Sequence, residues 1–198
     1  MRTSYIIIAI SLALVVLLAC KPYSKPLPLN KKELLLIDES ETIMRVLTTE
    51  SAEDMKILRK KSKNLTLEDV RSEYFLTLAE KMVATVTSPD QDGVGIAAPQ
   101  VGLNRRVIAV QRLDKEGEPF EVYVNIRIVE KRGDMVCGPE GCLSVPDIRD
   151  NVERYRDITV EYLDLETLEY VKETIQGYTA VIFQHECDHL DGILFTDY

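Results

Sequence analysis

The chain contains two histidines, and they stand four residues apart in His185-Glu186-Cys187-Asp188-His189. This H-E-x-x-H spacing constrains the local fold more than any other feature. On an α-helix, residues four apart share one face about one turn apart, so both imidazoles can hold a single metal ion. Glu186, the next residue round from His185, can then serve as a base beside that ion. Residues 179–190 (TAVIFQHECDHL) read as a helix stopped by Gly192. A short pattern of this kind also occurs on solvated helix faces. Its use of every histidine in the chain favours metal binding.

A catalytic metal site needs a third protein ligand and an open position. Downstream of His189 only Asp191 and Asp197 could ligate, so the third ligand is expected from an upstream Cys, Asp or Glu. Cys187 projects about 200° round the helix from His185, at about 100° per residue, and is excluded. Cys20 belongs to an N-terminal apolar segment, which leaves Cys137 and Cys142 among the four cysteines. Cys142 lies in GPEGCLSVP (residues 138–146), where glycines and prolines suit a turn that could present a thiolate. A free Cys is more often a small buried hydrophobe, and spacing does not separate Cys142 from Cys137.

The 198 residues suit one domain plus a tail. A net charge of −9 provides no general attraction for phosphates, so no nucleic-acid partner is expected. The cysteine spacing does not read as a disulfide framework. Arg2 precedes an apolar stretch over residues 5–19, the layout of an export signal. That stretch is short for a membrane span, which needs about 20 apolar residues. Leu17-Leu18-Ala19-Cys20 resembles the lipobox of bacterial lipoproteins, which implies cleavage before Cys20 and lipid on its sulfur. An uncleaved signal anchor is the alternative. Lys21, Lys25, Lys31 and Lys32 follow the apolar run and favour retaining the following chain in the cytoplasm, against the lipobox. The expectation is a membrane-associated, exported lipid-anchored lipoprotein, with a cytoplasm-facing anchor as the alternative.

Residues 21–41, with Pro22, Pro26 and Pro28 and no clear periodicity, read as a tether, and residues 42–198 as the folded domain. Val70, Tyr74, Leu78, Met82 and Val86 recur every four residues and predict one helix over residues 66–86, with Thr66 and Asp69 as an N-cap pair. A glycine-rich turn follows at residues 92–102. Strands are expected at residues 106–112, 120–129, 158–163 and 170–175. Strands grouped between two helices indicate an α+β fold.

GVGIAAPQ (residues 93–100), EGCLS (140–144) and QHECDH (184–189) are similar, in order and separation, to the three motifs of peptide deformylases. The likeness extends from about residue 43, through MKILRKKS (55–62), to residue 198. It implies antiparallel sheets packed around a central metal-binding helix. It also implies one divalent ion held by Cys142, His185 and His189. Fe2+ is the expected ion, with Zn2+, Ni2+ or Co2+ able to occupy the site; mixed His and Cys ligands alone would suggest zinc first. The implied reaction is removal of the N-formyl group from formyl-methionyl peptides or proteins by a monomer, releasing formate. Glu186 would move the proton, and the Gln100 side-chain amide and Leu143 backbone N–H would meet the oxyanion. Gly93 and Gly95 would allow close backbone approach. Val94, Val181 and Ile182 would line a methionine pocket or pack in the core, and Glu140 could pair with Arg154. The resemblance further implies that the C-terminal helix of longer relatives is lacking. Relatives act on nascent chains, which an exported lipoprotein would not meet. Two other readings remain open, a membrane-tethered zinc peptidase and a non-enzymatic formyl-peptide-binding protein.

Overall fold

The computed structural model describes residues 25–198; the signal-like segment and Cys20 lie outside the described residues. Four helices come first: α1 Lys31–Glu39, α2 Ala52–Leu58, α3 Leu67–Val70 and α4 Glu73–Val86. Then β1 Gly95–Ala97 leads through a 3-10 turn at Ala98–Val101 into β2 Val107–Gln111, β3 Phe120–Cys142, β4 Val145–Leu163 and β5 Tyr170–Gln176. Helix α5, Gly177–Asp191, follows, with a last 3-10 turn at Phe195–Asp197. The strands pair antiparallel in the order β1-β2-β3-β4-β5. This is the α+β class expected from the sequence.

Successive side chains of a strand point to opposite faces. In β2, Val107 and Ala109 face a core shared with Ile37, Phe75, Leu78, Met82 and Val86 of α1 and α4. Ile108 and Val110 face a second core with Ala180, Phe183, Cys187 and Leu190 of α5. Both faces are therefore covered, which is why this strand reads as a continuous apolar run. Cys187 lies on the sheet side of α5, as its helical angle from His185 requires.

Three expectations change. The helix foreseen over residues 66–86 divides, because Ser72 takes an extended conformation (φ −83°, ψ 156°) and its hydroxyl accepts from the Phe75 N–H at 3.4 Å. A serine that caps a new helix competes with continuing the old one. The restart also shifts the buried face onto Phe75, Leu78, Met82, Thr85 and Val86 and leaves Tyr74 exposed. Second, β3 and β4 extend far beyond residues 120–129 and 158–163. They form a ribbon whose pairing runs to Cys142 and Val145. Much of that ribbon is solvated on both faces, so it shows no apolar alternation.

Third, part of the stretch expected as a tether folds onto the domain. Asn30 and Glu33 form a capping box at the start of α1. Glu33 also pairs with the buried Arg105 guanidinium at 2.7 Å, and Ile37 is fully buried. Leu34, Leu35, Leu36 and Ile37 run consecutively and only Leu34 and Ile37 pack on the core, so no one-sided periodicity marks α1 in the sequence.

Helix α5 ends as the sequence predicts. Gly192 turns the chain left-handed at φ 76°, and a Cβ there would lie 2.5 Å from the Arg59 carbonyl oxygen. Gly192→Ala combines left-handed strain with that clash, so unfolding free energy should fall by about 2 kcal/mol in urea titrations.

Candidate metal centre

Two covalently distant segments meet at the site. Cys142 is the last residue of β3, and Leu143 and Ser144 form the turn into β4. His185, Glu186 and His189 come from α5. The Cys142 Sγ stands 3.2 Å from the His189 Nε2, and ligand atoms of Cys142, His185 and His189 all lie within 4.8 Å of one another. The two imidazole rings are 5.0 Å apart at 72°, so the one-turn spacing directs both at one point. Cys137, the other candidate thiol, is exposed on the ribbon and does not join this group.

Surrounding groups fix the donors. The His185 Nδ1 lies 2.8 Å from the Glu140 Oε2, which leaves the opposite ring nitrogen for the cluster. Glu140 is itself held by Arg154, whose Nε and Nη2 donate to its two oxygens at 2.7 and 3.0 Å. Arg154 Nη1 donates to Asp188 of α5 at 2.5 Å. The Glu140–Arg154 pairing foreseen in the sequence is therefore present. The link onward to His185 and Asp188 was not foreseen. Gln184 adds another tie: its amide donates to the Tyr155 carbonyl at 2.7 Å and accepts from the Tyr155 N–H at 3.2 Å, as a neighbouring strand would.

Gln100 sits in the 3-10 turn after β1 and is buried. Its Oε1 accepts from the Ala97 N–H at 2.7 Å, so its Nε2 faces the centre, 3.2 Å from Ser144 Oγ and 3.6 Å from Cys142 Sγ. The Ser144 N–H also points at the sulfur, at 3.4 Å. Leu143, Val94, Val181 and Ile182 line an open cavity of about 860 Å³ in front of Glu186 and His185. Gly95 allows a close approach, as expected, and the group that approaches is in the chain itself: a Cβ there would lie 2.5 Å from the Glu186 Oε1. The glycine admits the carboxylate of α5 against β1.

Burial pushes the Glu186 carboxyl up to about 7. Burial opposes ionisation of Glu140 too, but hydrogen bonds from His185 and Arg154 outweigh it and draw that carboxyl down to about 2. Burial also disfavours a charge on both imidazoles; contacts with Cys142 and Glu140 reverse the effect at His185, whereas His189 stays shifted down. The Cys187 thiol, enclosed in the core, is pushed up to about 12 and is not poised for chemistry.

The donor set fits a divalent transition metal. One sulfur and two imidazole nitrogens converge, and a cavity leaves a further position open. Glu186 Oε2 is buried beside the group with no hydrogen-bond partner among the described residues.

A family model for polypeptide deformylase matches residues 45–198. The chain belongs to that family. A peptide deformylase of Pseudothermotoga lettingae is 39% identical over 142 residues, covering 71% of this chain and 76% of the relative. One of Symbiobacterium thermophilum is 42% identical over 146 residues, covering 73% and 63%. Among solved structures, the Met-Ala-Ser-bound class I type b peptide deformylase of Acinetobacter baumannii superposes with a TM-score of 0.69 at 38% identity, over 79% of this chain and 99% of that one. The Thermotoga maritima enzyme gives a TM-score of 0.67 at 35% identity, over 78% and 96%. The family is metal-dependent, in agreement with the Cys/His/His group.

Glu140→Ala should leave the Arg154 guanidinium buried with only part of its complement. Removing one partner of a buried pair typically costs about 3–5 kcal/mol, and the retained Asp188 contact places the expected loss near about 3 kcal/mol, read from urea unfolding.

Proposed function

We infer that this chain hydrolyses the N-formyl group of formyl-methionyl peptides or proteins, releasing formate and a free amine. The observation that carries the reading is the convergence of Cys142, His185 and His189 beside the buried Glu186 carboxyl, in a chain that matches the family over residues 45–198. Cys142, His185 and His189 would hold one divalent ion; Fe2+ is the proposed native metal, with Zn2+, Ni2+ or Co2+ able to replace it. When bound, the ion supplies Lewis acidity to water and to the formyl carbonyl.

The chain's own groups do the rest. Glu186, drawn towards neutrality by burial, takes the proton of the attacking water and returns it to the departing amine. The Gln100 Nε2, fixed by the bond from Ala97 N–H to its Oε1, donates to the oxyanion that develops on the formyl oxygen. The Leu143 backbone N–H, in the turn after Cys142, is the second donor. Strand β1 is at the end of the sheet order, so its outer edge can pair with an extended peptide. Val94, Val181 and Ile182 offer an apolar wall for the methionine side chain. The Met-Ala-Ser-bound structure of the Acinetobacter baumannii relative supports a methionyl peptide in this cavity. The substrate partner is thus a formylated peptide or protein, with no nucleic acid, and the chain acts as a monomer.

Full-length chain loaded anaerobically with Fe2+ or Ni2+ should release formate from formyl-Met-Ala-Ser and leave unformylated Met-Ala-Ser intact. Internal cleavage without formate would establish the peptidase reading instead, and binding without turnover the non-enzymatic one. Glu186→Ala should retain metal while kcat falls by at least about 10²-fold. Gln100→Ala should lose about 3 kcal/mol of barrier lowering, again about 10²-fold in kcat.

For location we propose membrane attachment through residues 1–20 as an exported lipid-anchored lipoprotein. Arg2, the apolar run and Leu17-Leu18-Ala19-Cys20 support it; Lys21, Lys25, Lys31 and Lys32 support a cytoplasm-facing anchor instead. Among the described residues no helix is long and apolar enough to cross a membrane. Labelled palmitate should be incorporated by the wild type and not by Cys20→Ala. A reporter that works only in the cytosol, fused after Tyr198, should be silent; its activity would sink export.

A further inference from the structure

Beyond Gly192 the chain folds back along α5. Leu194 and Phe195 are buried, and the Phe195 ring stacks on the His185 ring at 6.0 Å and 26°. Arg59 of the α2 C-terminus pairs with Asp197, whose carboxylate also accepts from the Leu194 N–H at 2.9 Å. This anchoring sets Tyr198 over Arg154. The guanidinium carbon lies 4.6 Å from the ring centroid. The Tyr198 hydroxyl donates to Asp188 Oδ2 at 2.9 Å and accepts from Arg154 Nη1 at 3.3 Å.

Tyr198 is largely exposed, whereas Arg154 and Glu140 beneath it are buried. One guanidinium here serves two carboxylates. Its Nε and Nη2 go to Glu140, and its Nη1 goes to Asp188. The Tyr198 hydroxyl gives Asp188 a second donor, which lessens its competition for the fork that holds Glu140. The ring face attracts the cation and keeps water from it, so the Arg154–Glu140 attraction is less screened. Glu140 in turn fixes the ring of His185. An outer partner of this kind sets the orientation and basicity of a metal-ligating histidine.

We propose that Tyr198 is a positioning residue for the metal centre, acting through Arg154 and Glu140 on His185, with the aromatic ring as its main contribution. The inference rests on the reading of Cys142, His185 and His189 as ligands of one ion. It assigns a role at the centre to a side chain that touches neither the ligands nor the cavity.

The test uses the full chain, purified in detergent and loaded with Co2+. Four quantities are read: the rate of Co2+ transfer to a chelator, the visible Co2+ absorption bands, and kcat and KM for formyl-Met-Ala-Ser. Tyr198→Ala should release Co2+ about tenfold faster, alter the bands, and lower kcat with KM unchanged. Tyr198→Phe, which keeps the ring, should stay within about threefold of wild type. Tyr198→Leu, which keeps apolar cover without the ring quadrupole, should resemble Tyr198→Ala and decides the matter if that variant does not fold. Release and kcat within about twofold of wild type in the folded Ala or Leu variant overturn the proposal, even if the melting temperature drops, because the residue is then only structural. A wild-type chain that takes up no Co2+ overturns the ligand reading and this inference with it. Wild-type uptake with unchanged variants overturns this inference alone.

Discussion

Arg154 is 2% exposed, and it bridges Glu140 on β3 to Asp188 on α5. Cys142 follows Glu140 by two residues on the same strand, and His189 follows Asp188 directly on the helix. A single guanidinium therefore ties the strand that carries the thiol to the helix that carries both imidazoles. Burying Arg154 and Glu140 and half-burying Asp188 is expensive, and such clusters are weak evidence for stability. Their value here is geometric. Apolar packing of Phe183 and Leu190 against the sheet would tolerate small sliding of α5, but a forked guanidinium between two carboxylates does not. The Gln184 amide adds a second directional lock, pairing with both backbone groups of Tyr155 on β4.

Helix α5 is unusual in being enclosed on both its apolar and its polar side. Ala180, Phe183, Cys187 and Leu190 face the sheet, while Glu186 and His189 are also buried, next to the cavity. Beyond its exposed first turn at Gly177 and Tyr178, such a helix has a weak contrast between its sides, so its boundaries are better marked by caps than by periodicity. Gly192 supplied that mark in the sequence. The histidine pair was legible for a different reason: two imidazoles one turn apart need only the local helix to meet. Cys142 was not legible on those terms, because its approach depends on the register of a long ribbon. Spacing left Cys137 equal to it, and the structure separates the two, with Cys137 exposed and Cys142 at the ribbon's end.

The same distinction between local and distant causes explains the other misreadings. Ser72 divides the expected helix through a bond from the Phe75 N–H three residues on, a local signal masked by the four-residue apolar repeat. Helix α1 has a local cap in Asn30 and Glu33, but its docking rests on a distant partner, the Arg105 guanidinium that meets Glu33. Gly95 is the clearest case. Its surroundings suggest a turn or a place for substrate, yet the nearest obstacle to a side chain is the Glu186 carboxylate, from the far end of the domain. That relation exists only once β1 and α5 are packed together.

The close packing of Gly95 against Glu186 also accounts for how one site holds two carboxyls with opposite tendencies. Glu140 is enclosed but receives a guanidinium and an imidazole, and it is drawn down to about 2. Glu186 is enclosed by Ile182 and the bare backbone of Gly95, without a cation bonded to it, and burial pushes it up to about 7. Environments that drive two acids apart in this way divide their roles. Glu140 stays charged and can only hold its neighbours in place. Burial brings Glu186 towards the range in which a carboxyl can both accept and release a proton. The small residue at position 95 thus admits the carboxylate to its buried place. By letting strand backbone close against the carboxylate, it adds to the burial that raises Glu186 above an ordinary acid.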